Sequence, residues 1–308
     1  MPEIQNPASS NRVAVARTTS KKMGNLRVSF EFFPPKTDKM RDNLWATIKK
    51  LEPLNPDFVS VTYGANGSTR ERTHETVAKI AKDTSMNVAA HLTCVGAHKD
   101  EISEIAQAYW DAGVRHIIAL RGDPEAGIGS KYTPTKNGYA YGSDLVEGLR
   151  KIAPFDISVS TYPELHPESR NWSDEIDNLK RKVDAGATRA ITQFFFSPDI
   201  FLRFQDKVLD AGINIPIIPG LMLQPNYNGI KRMSDMCKIH IPDWYHELFS
   251  GLDDEPATRQ LMAATTAAKL VAKLQKNGVQ RFHFYTLNKA DLTFMLCKTL
   301  GISPMGNK

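Results

Sequence analysis

Eight short apolar runs, separated by longer amphipathic stretches, constrain this chain more than any other feature. The runs are Arg27–Phe33, Asp57–Tyr63, Asn87–Cys94, Val114–Arg121, Asp156–Tyr162, Thr188–Phe196, Ile215–Gly220 and Gln280–Leu287. Most are apolar on both faces, as strands of a buried parallel sheet should be. The stretches between them carry helical stripes. Leu44, Ile48 and Leu51 fall at i, i+4, i+7; Ile102, Ile105, Ala106 and Tyr109 fall at i, i+3, i+4, i+7; Ile176, Leu179 and Val183 repeat the pattern. A local phrase also recurs. Asp111-Ala112-Gly113, Asp184-Ala185-Gly186 and Asp210-Ala211-Gly212 each close a helix before an apolar run, and Lys276-Asn277-Gly278 does so before the last one. Glycine suits the left-handed residue that ends a helix.

Eight βα units in roughly 280 residues imply an α/β fold, a single (β/α)8 TIM barrel, which typically takes ~250. A doubly wound open sheet is the alternative. No G-x-G-x-x-G follows the first run, which weakens it. A Walker motif is absent too; Gly127-Ile128-Gly129-Ser130-Lys131 has only part of one. Two connections are long, Gly122–Gly142 and the stretch from His240 to Glu255, and both suit insertions at an active site or a subunit contact.

Composition narrows the function classes. The net charge of +5 is unevenly placed: residues 1–25 hold Arg12, Arg17, Lys21 and Lys22 against Glu3, a net of +3, leaving +2 for the rest. Residues 1–25 are read as a disordered tail and 26–308 as one barrel domain. A near-neutral body gives no basic stripe for nucleic acid. No stretch approaches the ~20 apolar residues of a membrane span, and the N-terminus has no apolar region of a signal peptide. Cys94, Cys237 and Cys297 are scattered, which fits a reducing cytoplasm better than a disulfide framework or a zinc site.

In a barrel, active residues sit where strands end and βα loops begin. Reading those ends gives Glu31, Thr62 and Tyr63, His91 and Thr93, Arg121 and Asp123, Tyr162, Glu164 and His166, Gln193, and Tyr285 and Asn288. Polar groups thus converge at one end of an otherwise apolar barrel. Glu31 is the sharpest of them. Placed among Phe30, Phe32 and Phe33, its carboxyl should be raised by burial, which suits a proton donor. Equally open is a structural ion pair, with Arg121 as partner. Asp123 reads as a functional carboxylate or as a turn residue before Pro124. His91 has no His, Asp or Glu at metal-ligand spacing, so no metal site is expected. Asn178, Arg181 and Lys182 share one helix face that could meet a phosphate, though such a face alone usually reads as solvated. Phe194-Phe195-Phe196 reads as barrel packing. Two functions fit without any family resemblance: a cofactor-free barrel lyase or aldolase using Glu31 as its acid, and a non-catalytic nucleotide-binding barrel.

Several long motifs, in order, resemble one family. They are Val28–Pro35 (VSFEFFPP), Phe58–Ala65 (FVSVTYGA), His91–Cys94 (HLTC), Ile118–Asp123 (IALRGD), Tyr162–Glu168 (YPELHPE), Leu179–Phe196 (LKRKVDAGATRAITQFFF), Ile217–Gly220 (IIPG) and Phe282–Asn288 (FHFYTLN). Together they resemble methylenetetrahydrofolate reductase from about residue 26 to 302. The resemblance implies a (β/α)8 barrel holding FAD. NADH (or NADPH) reduces the flavin, and the flavin passes a hydride to 5,10-methylenetetrahydrofolate, giving the 5-methyl form used in methionine synthesis. It implies Glu31 as general acid and Asp123 as a catalytic carboxylate near flavin and pterin. It places Tyr63, Ala65, His91, Arg121, Gly122, Asp123, Gly142, Tyr162, His166, Ser169, Glu175, Asn178, Arg181 and Lys182 on the flavin, and Thr62 on the nicotinamide cofactor. Asp123, Gln193, Phe201 and Lys289 become substrate contacts. Glu175, Phe201, Lys289 and Met233 depart from the family's aspartate, tyrosine, arginine and phenylalanine. The resemblance further implies the short bacterial type without a regulatory domain, and a cytoplasmic homo-oligomer, commonly a tetramer.

Overall fold

The computed structural model describes residues 26–63, 67–124 and 131–304, with residues 67–69 described in their backbone alone. The expected tail, Ala65 and most of the partial Walker match lie outside these residues. In the described residues, nine parallel strand segments form one sheet: β1 (Arg27–Phe32), β2 (Val59–Val61), β3 (Val88–Thr93), β4 (His116–Leu120), β5 (Asp156–Thr161), β6 (Arg189–Thr192), β7 (Ile217–Ile218), β8 (Gly220–Met222) and β9 (Arg281–Tyr285). Each strand from β1 to β6 pairs with the next in parallel, and β9 pairs with β1.

The seventh expected run is two segments, not one, because Pro219 has no N–H to give a ladder. Ile217–Ile218 pairs with β6, while Gly220–Met222 pairs with β9. The Pro219 carbonyl still accepts from the His283 N–H at 3.0 Å. That run therefore closes the ring, and the eight-fold reading of the sequence holds. The sixth run is shorter than expected. Phe194, Phe195 and Phe196 lie beyond β6, buried in the main core as packing residues.

Ten helices accompany the described strands: α1 (Asp38–Leu51), α2 (Gly67–Asp83), α3 (Lys99–Asp111), α4 (Gly142–Ile152), α5 (Trp172–Asp184), α6 (Pro198–Asp210), α7 (Tyr227–Cys237), α8 (Asp243–Phe249), α9 (Pro256–Lys276) and α10 (Ala290–Thr299). The stripe residues Leu44, Ile48 and Leu51 on α1, Ile102, Ala106 and Tyr109 on α3, and Ile176 and Leu179 on α5 are buried as their spacing requires. Gly113, Gly186 and Gly212 take the left-handed conformation just past α3, α5 and α6. The stretch from His240 to Glu255 holds α8, whose Tyr245 and Phe249 are buried. None of the described helices is long and apolar enough to cross a membrane.

Alternation along the strands divides the core in two. Outward residues such as Phe30, Phe32, Val59 and Phe284 join the large cluster between sheet and helices. The inward apolar cluster is small: Phe58, Ala89, Ile118, Ile191 and Ile218. The barrel interior is therefore not otherwise apolar, as the sequence suggested. Ser29, Ser60, His91, His116, Ser158 and His283 are buried alongside that cluster. His116 Nε2 lies 2.7 Å from Ser158 Oγ, and His283 Nδ1 lies 2.8 Å from Ser29 Oγ. Such pairing offsets the penalty of burying polar groups.

Candidate active site

A cavity of about 1030 Å³ opens where the strands end. Strand ends and following loops contribute Glu31, Tyr63, His91, Thr93, Arg121, Gly122, Asp123, Tyr162, Gln193 and Tyr285 to its wall. Helices add Gly142 at the start of α4, Glu175, Asn178, Arg181 and Lys182 from α5, and Met233 and Cys237 from α7. The loop after β5 adds His166 and Ser169.

Three expected positions are not brought to this wall. Phe201 is fully buried on α6, its ring stacked on Phe195 with centroids 5.6 Å apart. Lys289 is an exposed residue at the N-terminus of α10. Thr62 is not part of the lining; its backbone N–H donates to the Phe32 carbonyl and its carbonyl accepts from the Thr73 hydroxyl. Ala65 lies outside the described residues.

Glu31 has different neighbours from those its sequence suggests. Phe30 and Phe32 point outward to the helices, whereas Glu31 points inward. His91 Nε2 stands 3.4 Å from Glu31 Oε2, and His283 Nε2 stands 3.6 Å from it. Burial pushes the carboxyl up, but the two imidazoles outweigh that push and bring it down to about 2. The expected raised carboxyl is thus corrected: in the free protein Glu31 is a carboxylate. Its expected partner is corrected too, because Arg121 turns to Glu168. That pair is bidentate, with Nη1 on Oε2 and Nη2 on Oε1 at 2.9 Å. The Arg121 guanidinium also lies 4.4 Å over the Tyr132 ring.

The Arg121-Gly122-Asp123 turn is locked by close packing. Gly122 has φ +87°, and a Cβ there would stand 2.4 Å from Val95 Cγ1. Only glycine fits both constraints, and the turn then presents Asp123 to the cavity. Across from it, Gln193 is oriented by its own chain, since its Oε1 accepts from the Phe194 N–H at 3.0 Å. Its amide NH2 lies within hydrogen-bond reach of the Tyr162 hydroxyl and has a second hydrogen to donate.

The α5 side of the cavity carries both signs: Arg181 and Lys182 stand among Asp174, Glu175 and Asp177. Asn178, Arg181 and Lys182 all reach the wall, so the solvated-face reading is corrected for the part-buried Asn178 and Lys182, while Arg181 lines the cavity and stays exposed. Lys182 Nζ donates to the Ser160 carbonyl at 2.8 Å. Burial pushes its ammonium down to about 8; the Glu175 carboxylate opposes this, while Arg121 and Arg181 add to it. Glu175 is buried and accepts from the His166 N–H at 3.1 Å and the Ser169 hydroxyl at 2.7 Å. No cluster of metal-ligating side chains exists among the described residues.

Sequence reasoning missed His283 and the partnership of Glu168. His283 could have been found by parity, because it stands two residues before Tyr285 on β9 and so shares its inward face. Nothing local marks Glu168, which lies 47 residues from Arg121.

Comparison with known proteins adds independent information. An uncharacterized protein from Clostridium thermocellum, whose solved structure binds two copies of 5-methyl-5,6,7,8-tetrahydrofolic acid, matches with TM-score 0.62 at 14% identity, over 91% of this chain and 96% of that one. At that identity the likeness speaks for the fold alone. The 5,10-methylenetetrahydrofolate reductase of Escherichia coli (strain K12) is 47% identical over 295 residues, 96% of this chain and 97% of that protein. The enzyme of the same name from Buchnera aphidicola subsp. Acyrthosiphon pisum is 49% identical over 278 residues, 90% of this chain and 93% of that protein. Methylenetetrahydrofolate reductase (NADH) 1 of Arabidopsis thaliana is 33% identical over 290 residues, 91% of this chain but 49% of that protein. The family model for methylenetetrahydrofolate reductase matches residues 16–301. On that match, and on these identities over nearly its whole length, the chain belongs to the methylenetetrahydrofolate reductase family.

Proposed function

We propose that this protein reduces 5,10-methylenetetrahydrofolate to 5-methyltetrahydrofolate, with FAD as its cofactor and NADH, or NADPH, as electron donor. The product would supply methyl groups for methionine synthesis. The observation that carries the reading is one cavity holding Glu31, Asp123 and Gln193 together with the cations Arg121, Arg181 and Lys182 on its wall. The wall fits a flavin dinucleotide. Its cations suit a diphosphate, and the Tyr63 and Thr93 hydroxyls are buried there without hydrogen-bond partners, as groups awaiting a ligand are.

FAD, when bound, supplies hydride chemistry, taking a hydride from the nicotinamide cofactor and giving one to the one-carbon unit of the folate. The chain's own residues do the rest. Arg181, Lys182 and Asn178 would hold the diphosphate. Asp123 would set a negative charge beside the reacting rings. Gln193, with its donor end fixed, would orient the pterin. Glu31 would give its proton to the folate nitrogen as the five-membered ring opens. Because Glu31 is ionised in the free protein, it must take up that proton once the folate covers it. A cytoplasmic homo-oligomer remains part of the proposal.

The test is direct. Purified protein should carry a yellow flavin spectrum, bleach with NADH under anaerobic conditions, and recover on addition of methylenetetrahydrofolate. A folded protein that stays colourless with added FAD would refute the reading.

A further inference from the structure

The loop between β5 and α5 is tied both to α5 and to the segment that follows α7. On one side, the His166 N–H and the Ser169 hydroxyl bond to buried Glu175, and Glu168 pairs with Arg121. On the other side, Glu164 reaches the far end of α7. Its Oε2 accepts from the His240 backbone N–H at 3.0 Å, across 76 residues of sequence. Its Oε1 is buried without a partner.

The backbone between these two duties is strained. Leu165 has φ +91°, a left-handed conformation that favours glycine. That conformation lets Glu164 face α7 while His166, one residue further on, lines the cavity. Strain of this kind persists where surrounding contacts hold it in place.

α7 matters because Met233 and Cys237, one turn apart, form part of the cavity wall. Its C-terminus is turned by Lys238, at φ +56°, and by the Ile239 N–H donating to the Ser234 carbonyl. His240 is the next residue, so the bond to Glu164 pins the point where α7 ends.

The geometry points to Glu164 as a positioning residue for catalysis: by holding His240, it fixes the α7 wall, and thereby the face on which the folate is bound, relative to the cofactor side. It touches no reacting atom. The inference rests on the folate-reductase reading for its catalytic consequence, but the latch itself is a property of the free protein.

Three variants test it. Glu164→Ala removes the acceptor. Glu164→Asp keeps the charge but is one methylene too short. Glu164→Gln keeps an acceptor oxygen at full reach. Hydrogen exchange of the ligand-free protein, read over residues 227–240, should be about five- to tenfold faster in the Ala and Asp variants, the loss of one net hydrogen bond. The Gln variant should exchange at the parent rate. In turnover, the Ala and Asp variants should raise KM for methylenetetrahydrofolate about three- to tenfold with little change in kcat, the pattern of lost uniform binding. FAD affinity, from quenching of flavin fluorescence, should stay at the parent value. Unchanged exchange in the Ala variant would overturn the latch. So would a Gln variant as impaired as Ala, or FAD affinity that falls in step with KM. Faster exchange in a protein that never reduces folate would instead keep the latch and refute the reductase reading.

Discussion

Replacing Lys182 with Met should stabilise the flavin-free protein and remove a pH dependence from flavin binding. Lys182 sits beside Arg121 and Arg181, and burial holds its ammonium at about 8 rather than the usual 10.5. At roughly 1.4 kcal/mol per unit, keeping that charge in the free protein costs about 3 kcal/mol at neutral pH. The sign follows from proton counts. Between pH 8 and 10.5 the unfolded chain holds a proton that the folded one has shed, so stability rises with pH across that window. Met removes the charge but leaves the Ser160 carbonyl without its donor, a loss of about 1–2 kcal/mol. The net gain at pH 7 should be about 1–2 kcal/mol, measured by urea denaturation. A diphosphate beside Lys182 would restore its proton, so FAD binding should take one up above pH 8. FAD affinity should therefore fall by up to about tenfold per pH unit between 8 and 10. Titration of flavin-free protein, followed by flavin fluorescence, reads this directly. Riboflavin, which lacks phosphate, should show no such slope, and neither should Lys182→Met with FAD. A Met variant less stable at pH 7, or one with the parent slope, would refute the reasoning.

Other substitutions separate the roles of the cavity residues. Glu31→Gln should leave flavin reduction by NADH within about twofold while slowing folate reduction by about 10²–10⁴, the usual worth of a general acid; equal losses in the two stopped-flow half-reactions would make Glu31 structural. Asp123→Asn should raise the flavin reduction potential, because it removes a negative charge that disfavours reduced anionic flavin; a dye-equilibration value at or below the parent's would contradict this. Gly122→Ala should lower stability by about 2–4 kcal/mol in urea denaturation, combining left-handed strain with a clash on Val95. A smaller loss would show that the turn can relax.

The barrel was legible because its strands must be apolar outward, and its helices need one stripe each to cover them. Phe30, Phe32, Leu44 and Ile48 obey that demand in any local reading. The site was legible in position, since strand ends point at it, but not in its electrostatics. Glu31 looks surrounded by phenylalanines along the chain, yet strand alternation sends Phe30 and Phe32 away and leaves the carboxylate with His91 and His283. Those partners arrive from β3 and β9, at separations no local pattern encodes. The same holds for Arg121, whose partner Glu168 comes from the loop after β5. Lys182 was misread by its surroundings in sequence. A charge-rich helix face normally meets solvent, and here tertiary structure turns it onto a cavity. Phe201 is the opposite case: the resemblance placed it on substrate, and the packing of α6 places it in the core.

The ionised state of Glu31 sharpens its chemistry. Two pulls of opposite sign act on that carboxyl: burial, which favours the neutral acid, and two imidazoles, which favour the carboxylate and prevail. The nearby His116 is pushed down to about 3, chiefly by burial, so at least this part of the interior is held neutral. The 3.4 and 3.6 Å separations at Glu31 exceed a tight charge-assisted bond. Binding that covers the carboxylate therefore strengthens the pull of burial against contacts that are not fully closed. A bound pterin nitrogen adds a second acceptor for the same proton. On the proposed reading, the acid that the reaction requires would then be a property of the filled cavity. The free protein, by contrast, keeps that group charged and gains stability from it, a gain lost only as pH falls from 4.5 through about 2. Substrate binding and proton uptake would thus be one event at this residue, so the pH dependence of folate reduction should fall in the binding step as well as in the chemistry.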